Sequence, residues 1–250
     1  MLAPSELSLD LGGGVKMELV LIPKGTFTMG SAVGEAGREE REGPQHEVTI
    51  SQSFYMGKYT VTQEQYEAVT GDNLRNYEGP KKPVTGLSWN GVQEFCKKLS
   101  QKSGKPIALP SEAQWEYACR AGTATPFYFG NTISINEVNY NGNYGNGTKT
   151  EFQSEIKDVG SFKPNKFGLF DMHGNVCQWC QDYYGEYPKA ATVDPLGPAQ
   201  GTFRVLRGGS WSSIAGLCRS AYRDSYPPDA RFRGDVGFRV VVSTPTSNPP

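Results

Sequence analysis

Apolar positions along the chain fall into two periods. Lys16 to Ile22 and Val48 to Ile50 are short runs of β-branched and aliphatic residues, and these read as strands. Thr62-Gln-Glu-Gln65 has the form of a capping box, in which the Thr and the Gln three residues on satisfy each other's backbone donors, and it predicts a helix through about Val69. Val92, Phe95, Cys96 and Leu99 recur at helical spacing after Trp89, with Asn90 as the expected cap and Gly104 as the stop. A third helix is expected from Ser111, preceded by Pro110, through Arg120 to a stop at Gly122, with Trp115 and Tyr117 in the core. Thr123 to Phe167 has neither period and is rich in Asn, Gly, Tyr and Thr, as in Asn139-Tyr-Asn-Gly-Asn-Tyr-Gly-Asn-Gly147; it reads as irregular backbone held by side chains. The order of these elements is that of an α+β domain.

At 250 residues, 37% of them hydrophobic, the chain suits one domain with a sizeable core. We expect tails at 1–15 and 244–250 and a single domain over 16–243. A net charge of −1 without a basic run argues against a nucleic-acid partner. Leu19-Val-Leu-Ile22, one of the longest apolar stretches, is far too short to span a bilayer, and without a visible leader the expected location is cytoplasmic. Five cysteines, an odd number, do not suggest a secreted disulfide framework. Cys177-Gln-Trp-Cys180 has the spacing of a redox or zinc half-site, but no second pair of ligands matches it, so packing is the preferred reading. Glu35 to Glu42, a mixed-sign run between turn residues, is expected to be a solvated loop. Leu11-Gly-Gly-Gly14 lacks the Lys and the strand-to-helix context of a phosphate loop.

Seven short motifs occur in one order: Phe27-Thr-Met-Gly30, Pro44-Gln-His46, Lys58-Tyr-Thr-Val-Thr62, Pro83-Val84 with Ser88-Trp89, Leu109-Pro-Ser-Glu-Ala-Gln-Trp-Glu-Tyr117, Gly168-Leu-Phe-Asp-Met172 with Gly174-Asn-Val176, and Arg207-Gly-Gly-Ser-Trp211. Together they resemble the formylglycine-generating-enzyme, or sulfatase-modifying-factor, family. The resemblance implies a loop-rich C-type lectin fold of the formylglycine-generating-enzyme-like subclass, but not an activity.

The family's oxidases bind copper(I) with two cysteines between the Gly-Gly-Ser-aromatic block and a following Cys-Arg block. Here that interval is Ser212-Ser-Ile-Ala-Gly-Leu217, without cysteine, and Cys218 alone cannot make the pair. A related iron site needs three histidines, whereas the chain has only His46 and His173. No cofactor is therefore required, although the resemblance implies structural calcium. One site would use the carbonyls of His173, Gly174 and Val176 with the side chain of Gln178, where the family usually has Glu; a second would use Asn139 and Tyr140.

The same framework is shared by variable proteins of diversity-generating retroelements, whose diversified positions lie between Gly-Gly-Ser-Trp and Gly-Phe-Arg. Adenine-directed mutagenesis of asparagine codons cannot yield Lys, Glu, Gln, Met or Trp, and none of these occurs in Ser212 to Val236. The variable region is thus expected at about 211–236, with Trp211, Ser212, Ser213, Ile214, Ala215, Gly216, Leu217, Tyr222, Asp224, Ser225, Tyr226, Ala230, Phe232, Gly234 and Asp235 as ligand-contacting positions. Tyr222, Tyr226 and Phe232 would supply rigid contact area, and the smaller polar residues adaptable hydrogen bonds. The bland alternative is that Ile214, Leu217 and Phe232 are ordinary core. At the level of function, the expectation is a non-catalytic protein that binds an unidentified protein or small molecule. The alternatives are an oxidoreductase acting on a cysteine or thiol, and an accessory domain without a diversified site.

Overall fold

In the computed structural model, which describes residues 5–74, 79–143, 155–231 and 234–244, the chain begins with a hairpin. Strand β1 (Glu6–Gly12) pairs antiparallel with β2 (Val15–Ile22), and three glycines of positive φ, Gly12, Gly13 and Gly14, turn the chain between them. The expected tail at 1–15 is corrected here. Leu7, Leu9 and Leu11 alternate with polar residues, and this period of two buries Leu9 and Leu11 in the core. Such a short alternation beside a run of glycines is easily taken for a loose end.

Next come β3 (Gly25–Met29), β4 (His46–Ile50) and β5 (Phe54–Gly57), then helices α1 (Gln63–Thr70) and α2 (Trp89–Ser103). The Thr62–Gln65 capping box is present at the start of α1. The cap of α2 is Ser88, whose hydroxyl accepts from Gly91 N; Asn90 lies inside the first turn, so the expected cap shifts by two residues. β6 (Ile107–Ala108) leads into α3 (Glu112–Arg120), capped by Ser111 and ended by Ala121 in the left-handed conformation. The last third contains β7 (Cys177–Tyr183), β8 (Thr192–Val193), β9 (Arg204–Arg207), β10 (Arg223–Tyr226), β11 (Val236–Gly237) and β12 (Val241–Ser243). Between α3 and β7 the described residues contain no helix or named strand, as expected.

Three sheets result, in the orders β1-β2-β5-β12-β6, β10-β9-β7-β11 and β3-β4-β8. Two apolar clusters form the main core. One gathers α1 and α2 around Phe95, Trp179, Leu206 and Phe238; the other packs α3, through Trp115, against Ile22, Val48, Met172 and Val205. Adjacent residues on β9, Val205 and Leu206, enter different clusters, as expected for a strand buried on both faces. The sheet β10-β9-β7-β11 thus sits on packed side chains. The connection from β9 to β10, residues 208–222, is carried on that platform.

Candidate functional site

The connection starts with two glycines that no other residue could replace without displacement. Gly208 and Gly209 have φ of 95° and 67°. A Cβ on Gly209 would lie 2.7 Å from both Cys218 Sγ and Leu217 O. This close approach folds 210–218 back over the start of the loop. Trp211 Nε1 then donates to Gly234 O at 2.7 Å, joining the two ends of the segment, and Cys177 N donates to Asp235 O at 2.8 Å.

Four buried arginines set the backbone. Arg207 donates to the carbonyls of Ser220, Ala221 and Tyr222 and to the carboxylate of Glu116. Its burial pulls the pKa down, but Tyr187, Glu116 and Glu112 outweigh that and hold the guanidinium firmly charged. Arg223 makes a two-pronged contact with Glu112, at 2.6 and 2.7 Å, and donates to Arg41 O and Gly185 O. Arg239 donates to Gln178 Oε1 at 2.7 Å and to the carbonyls of Gly57 and Phe170. Arg219 reaches away from the sheet: its guanidinium donates to Glu42 at 2.5 and 2.8 Å, to Glu35 at 2.6 Å, and to Gly37 O and Gly216 O.

Those contacts overturn the expectation for Glu35 to Glu42. Glu42 is completely buried, and its ion pair with Arg219 fixes the loop against the 211–223 segment. Burial raises the Glu42 pKa, but hydrogen bonds and charge from Arg219 outweigh it and bring the carboxyl below its ordinary value. The loop also supplies Arg41, which lies over the Tyr222 ring and donates to its hydroxyl. Glu39 and Arg41 therefore border the segment. Nothing local in sequence could point to Arg41, because its partner Tyr222 lies 181 residues away; Glu39 is held to it by an ion pair at 2.6 Å.

Of the expected contact residues, Ser212, Ile214 and Tyr226 are exposed. Trp211, Ser213, Ala215, Gly216, Leu217, Asp224, Ser225, Ala230 and Asp235 are half-buried. Tyr222 and Gly234 are buried, and this corrects their assignment as free contact positions: the Tyr222 ring packs under Arg41, and Gly234 uses its carbonyl to hold Trp211. Phe232 lies outside the described residues. Asp224 and Tyr226, two apart on β10, share one face of that edge strand. Burial raises the Tyr226 pKa first, followed by the charges of Asp224, Asp235 and Cys177, so these groups share one neighbourhood. Burial likewise raises the carboxyl pKa of both Asp224 and Asp235.

The possible calcium ligands fare differently. Both acceptor directions of Gln178 Oε1 are used, by Trp115 Nε1 at 2.8 Å and Arg239 Nε at 2.7 Å, while its Nε2 donates to Asp171 O. With a guanidinium on its oxygen, Gln178 does not fit a cation, so the site with His173, Gly174 and Val176 lacks its side-chain ligand. Asn139 donates to Asn175 Oδ1 and Glu155 O, and its own carbonyl accepts from Asn175 N. Tyr140 is buried, its hydroxyl donating to Ile133 O. Among the described residues no group of three or more His, Cys, Asp or Glu side chains could hold a metal ion.

All five cysteines are free, and only Cys177 is not fully buried. Cys177 packs with the Trp179 cluster and Cys180 with the Trp115 cluster, on opposite faces of β7, which removes the redox-pair reading of Cys177-Gln-Trp-Cys180. A Cys119–His173 contact at 3.8 Å lies in the interior. His173 Nδ1 donates to Cys218 O at 2.7 Å, which leaves Nε2 to accept from Tyr128 N. Burial lowers the His173 pKa to about 4 and raises that of Cys119 to about 12, so the pair is a neutral packing contact.

A packed platform with an arginine-held, loop-borne outer segment is the architecture of C-type lectin-type domains of the formylglycine-generating-enzyme-like subclass. The chain belongs to that family: the model of the sulfatase-modifying factor enzyme 1-like domain matches residues 14–244. It is 33% identical to the serine/threonine-protein kinase pkn1 of Chlamydia pneumoniae over 90% of this chain, yet spans only 38% of the length of that kinase. It is 29% identical to the formylglycine-generating enzyme of Streptomyces coelicolor, over 89% of this chain and 88% of the enzyme. Among solved structures, Treponema denticola variable protein 1 superposes with a TM-score of 0.83 at 26% identity, covering 97% of this chain and all of that one. No helix among the described residues is long and apolar enough to cross a membrane.

Proposed function

We propose that this chain is a non-catalytic binding protein in which segment 211–235 presents a changeable contact surface on a fixed scaffold. The observation that carries this reading is the division of labour within the segment. Arg207 holds residues 220–222 by their carbonyls, Trp211 is tied to Gly234 O, and Arg219 binds Gly216 O. Main-chain anchoring of this kind does not depend on which side chains occupy 212, 214 and 226, and those are the exposed ones among the expected contact positions. Similarity to Treponema denticola variable protein 1 along nearly the whole chain supports the same reading. The partner would be a protein or small molecule that covers Tyr226, Ile214 and the neighbouring half-buried positions, with aromatic area at the centre and polar groups at the rim.

The direct test is to replace Ser212, Ile214 and Tyr226 together by several different residue sets. The proposal expects the fold to persist and the ligand to change from set to set; it fails if the sets unfold, or if all bind one ligand equally. A matching template repeat for 212–236 beside a reverse transcriptase gene in the source DNA would support it independently.

A further inference from the structure

A cavity well separated in sequence from 211–235 lies between the edge strand β3 and the C-terminal end of α3. Its volume is about 300 Å³, at the lower end of the ~300–1,000 Å³ usual for small-molecule sites. Phe27, Tyr117 and Phe167 form its aromatic wall, with centroids 5.4 Å apart for Phe27–Tyr117 and 5.8 Å for Tyr117–Phe167. Thr26 and Thr28 of β3 and Gln45 line the polar side and are exposed.

Two details indicate which chemistry fits. Tyr117 is only 8% exposed, and its hydroxyl oxygen keeps access to solvent through the cavity it lines. A phenol hydroxyl both donates and accepts, so one that faces a cavity is available to a ligand. Gly25 gives this hydroxyl its room, since a Cβ there would collide with the phenol oxygen. The second detail is charge. Arg120, the ionised side chain of the lining, is spent on Glu116 Oε1, Thr125 O and Gly30 O, and is itself buried. The cavity therefore offers aromatic faces, a phenol, threonine hydroxyls and an amide, without a free charge.

We infer that this cavity binds a neutral saccharide. The C–H face of a pyranose carries slight positive charge and lies against the negative face of an aromatic ring, while its hydroxyls both donate and accept, which suits the Tyr117 phenol, Thr28 and Gln45. A carboxylate or ammonium ligand would have to leave water without a counter-charge. None of the described residues of 211–235 lines the cavity, so this inference stands apart from the proposed changeable surface.

The test is saturation-transfer NMR and calorimetry on the full chain. The probes are methyl gluco-, galacto- and mannopyranoside and N-acetylglucosamine, with glucuronate and benzyl alcohol as controls. At least one neutral probe should saturate with Kd on the order of 1 mM, the scale of a few hydrogen bonds and one stacked ring. Tyr117→Phe, which keeps the ring, should weaken it roughly tenfold, the worth of one buried hydrogen bond. Phe167→Ala should abolish it, with melting followed for both variants, and Tyr226→Ala should leave it unchanged. The inference is overturned if no neutral saccharide saturates, if benzyl alcohol or glucuronate binds more tightly than every saccharide, or if Tyr117→Phe binds as well as the parent. Loss of binding in Tyr226→Ala would also overturn it, by moving the saccharide to the other surface.

Discussion

Arg41 holds its guanidinium 5.1 Å from the centroid of the Tyr222 ring and donates from Nη2 to the phenol oxygen at 2.9 Å. Residues 181 positions apart thereby close one side of the 211–235 segment. The same contact shows that two tyrosines of that segment have different tasks. Tyr222 is 7% exposed and Tyr226 38%. Tyr222→Ala should therefore cost about 3 to 5 kcal/mol, the scale for emptying a large aromatic core site, whereas Tyr226→Ala should stay within about 0.5 kcal/mol. Urea unfolding of the two variants checks the difference, and equal losses would place Tyr226 in the core.

The Arg219–Glu42 pair predicts a local effect as well as a global one. Removing the guanidinium with Arg219→Met leaves the fully buried Glu42 unpaired, and loss of one member of a buried pair costs about 3 to 5 kcal/mol. The loop 35–42 should lose its hydrogen-exchange protection before the sheets do, because its anchors converge on Arg219. Exchange mass spectrometry reads this directly; unchanged protection of 35–42 in the variant would contradict it.

These two residues also show what sequence can and cannot convey. Helices α1, α2 and α3 were legible because period and stop follow the start of each helix closely in the chain, even though the cap of α2 is Ser88 and not Asn90. The seven ordered motifs conveyed the fold because they carry its caps and turns, such as Ser111 and Gly208-Gly209, together with Arg207. Glu42 was not legible: a mixed charge run is ordinarily solvated, and only the folded chain brings Arg219 to it. Tyr222 and Gly234 were misassigned for a related reason, since lying in a segment without period says nothing about which side chains turn inward. Gln178 looked like a weak metal ligand because the sequence does not show that Arg239 already occupies its oxygen.

A pH dependence follows from Asp182. Burial first, and then the neighbouring Glu112 carboxylate, raise its pKa from 3.8 to about 7, while its Oδ2 accepts from Glu112 N at 2.8 Å. Between about pH 4 and 7 the folded state then keeps a proton that the unfolded state has released, so this group's contribution to stability falls as pH rises. Asp182→Asn preserves an acceptor for Glu112 N and removes the titration. Its stability relative to the parent should therefore increase steadily from pH 4 to 7. A difference independent of pH in that window would refute the assignment.

Metal removal should have little effect at Gln178. Its oxygen is taken by Arg239 and Trp115, so adding a chelator should not lower the melting temperature, whereas Gln178→Leu, which strands both donors in the interior, should. A chelator-sensitive melt restored by calcium would show that an ion is held elsewhere or displaces Arg239.

The most direct measurement of the central claim is a displayed library in which Ser212, Ile214, Ser225 and Tyr226 are randomised together while Arg207, Trp211, Arg219 and Tyr222 are kept. Members should be read by thermal unfolding and by selection against unrelated protein targets. The account predicts that most members unfold within a few degrees of the parent, since surface changes cost about 0.5 kcal/mol each, and that different targets select different residues at these four positions. Widespread unfolding, or a parental sequence recovered whatever the target, would contradict it.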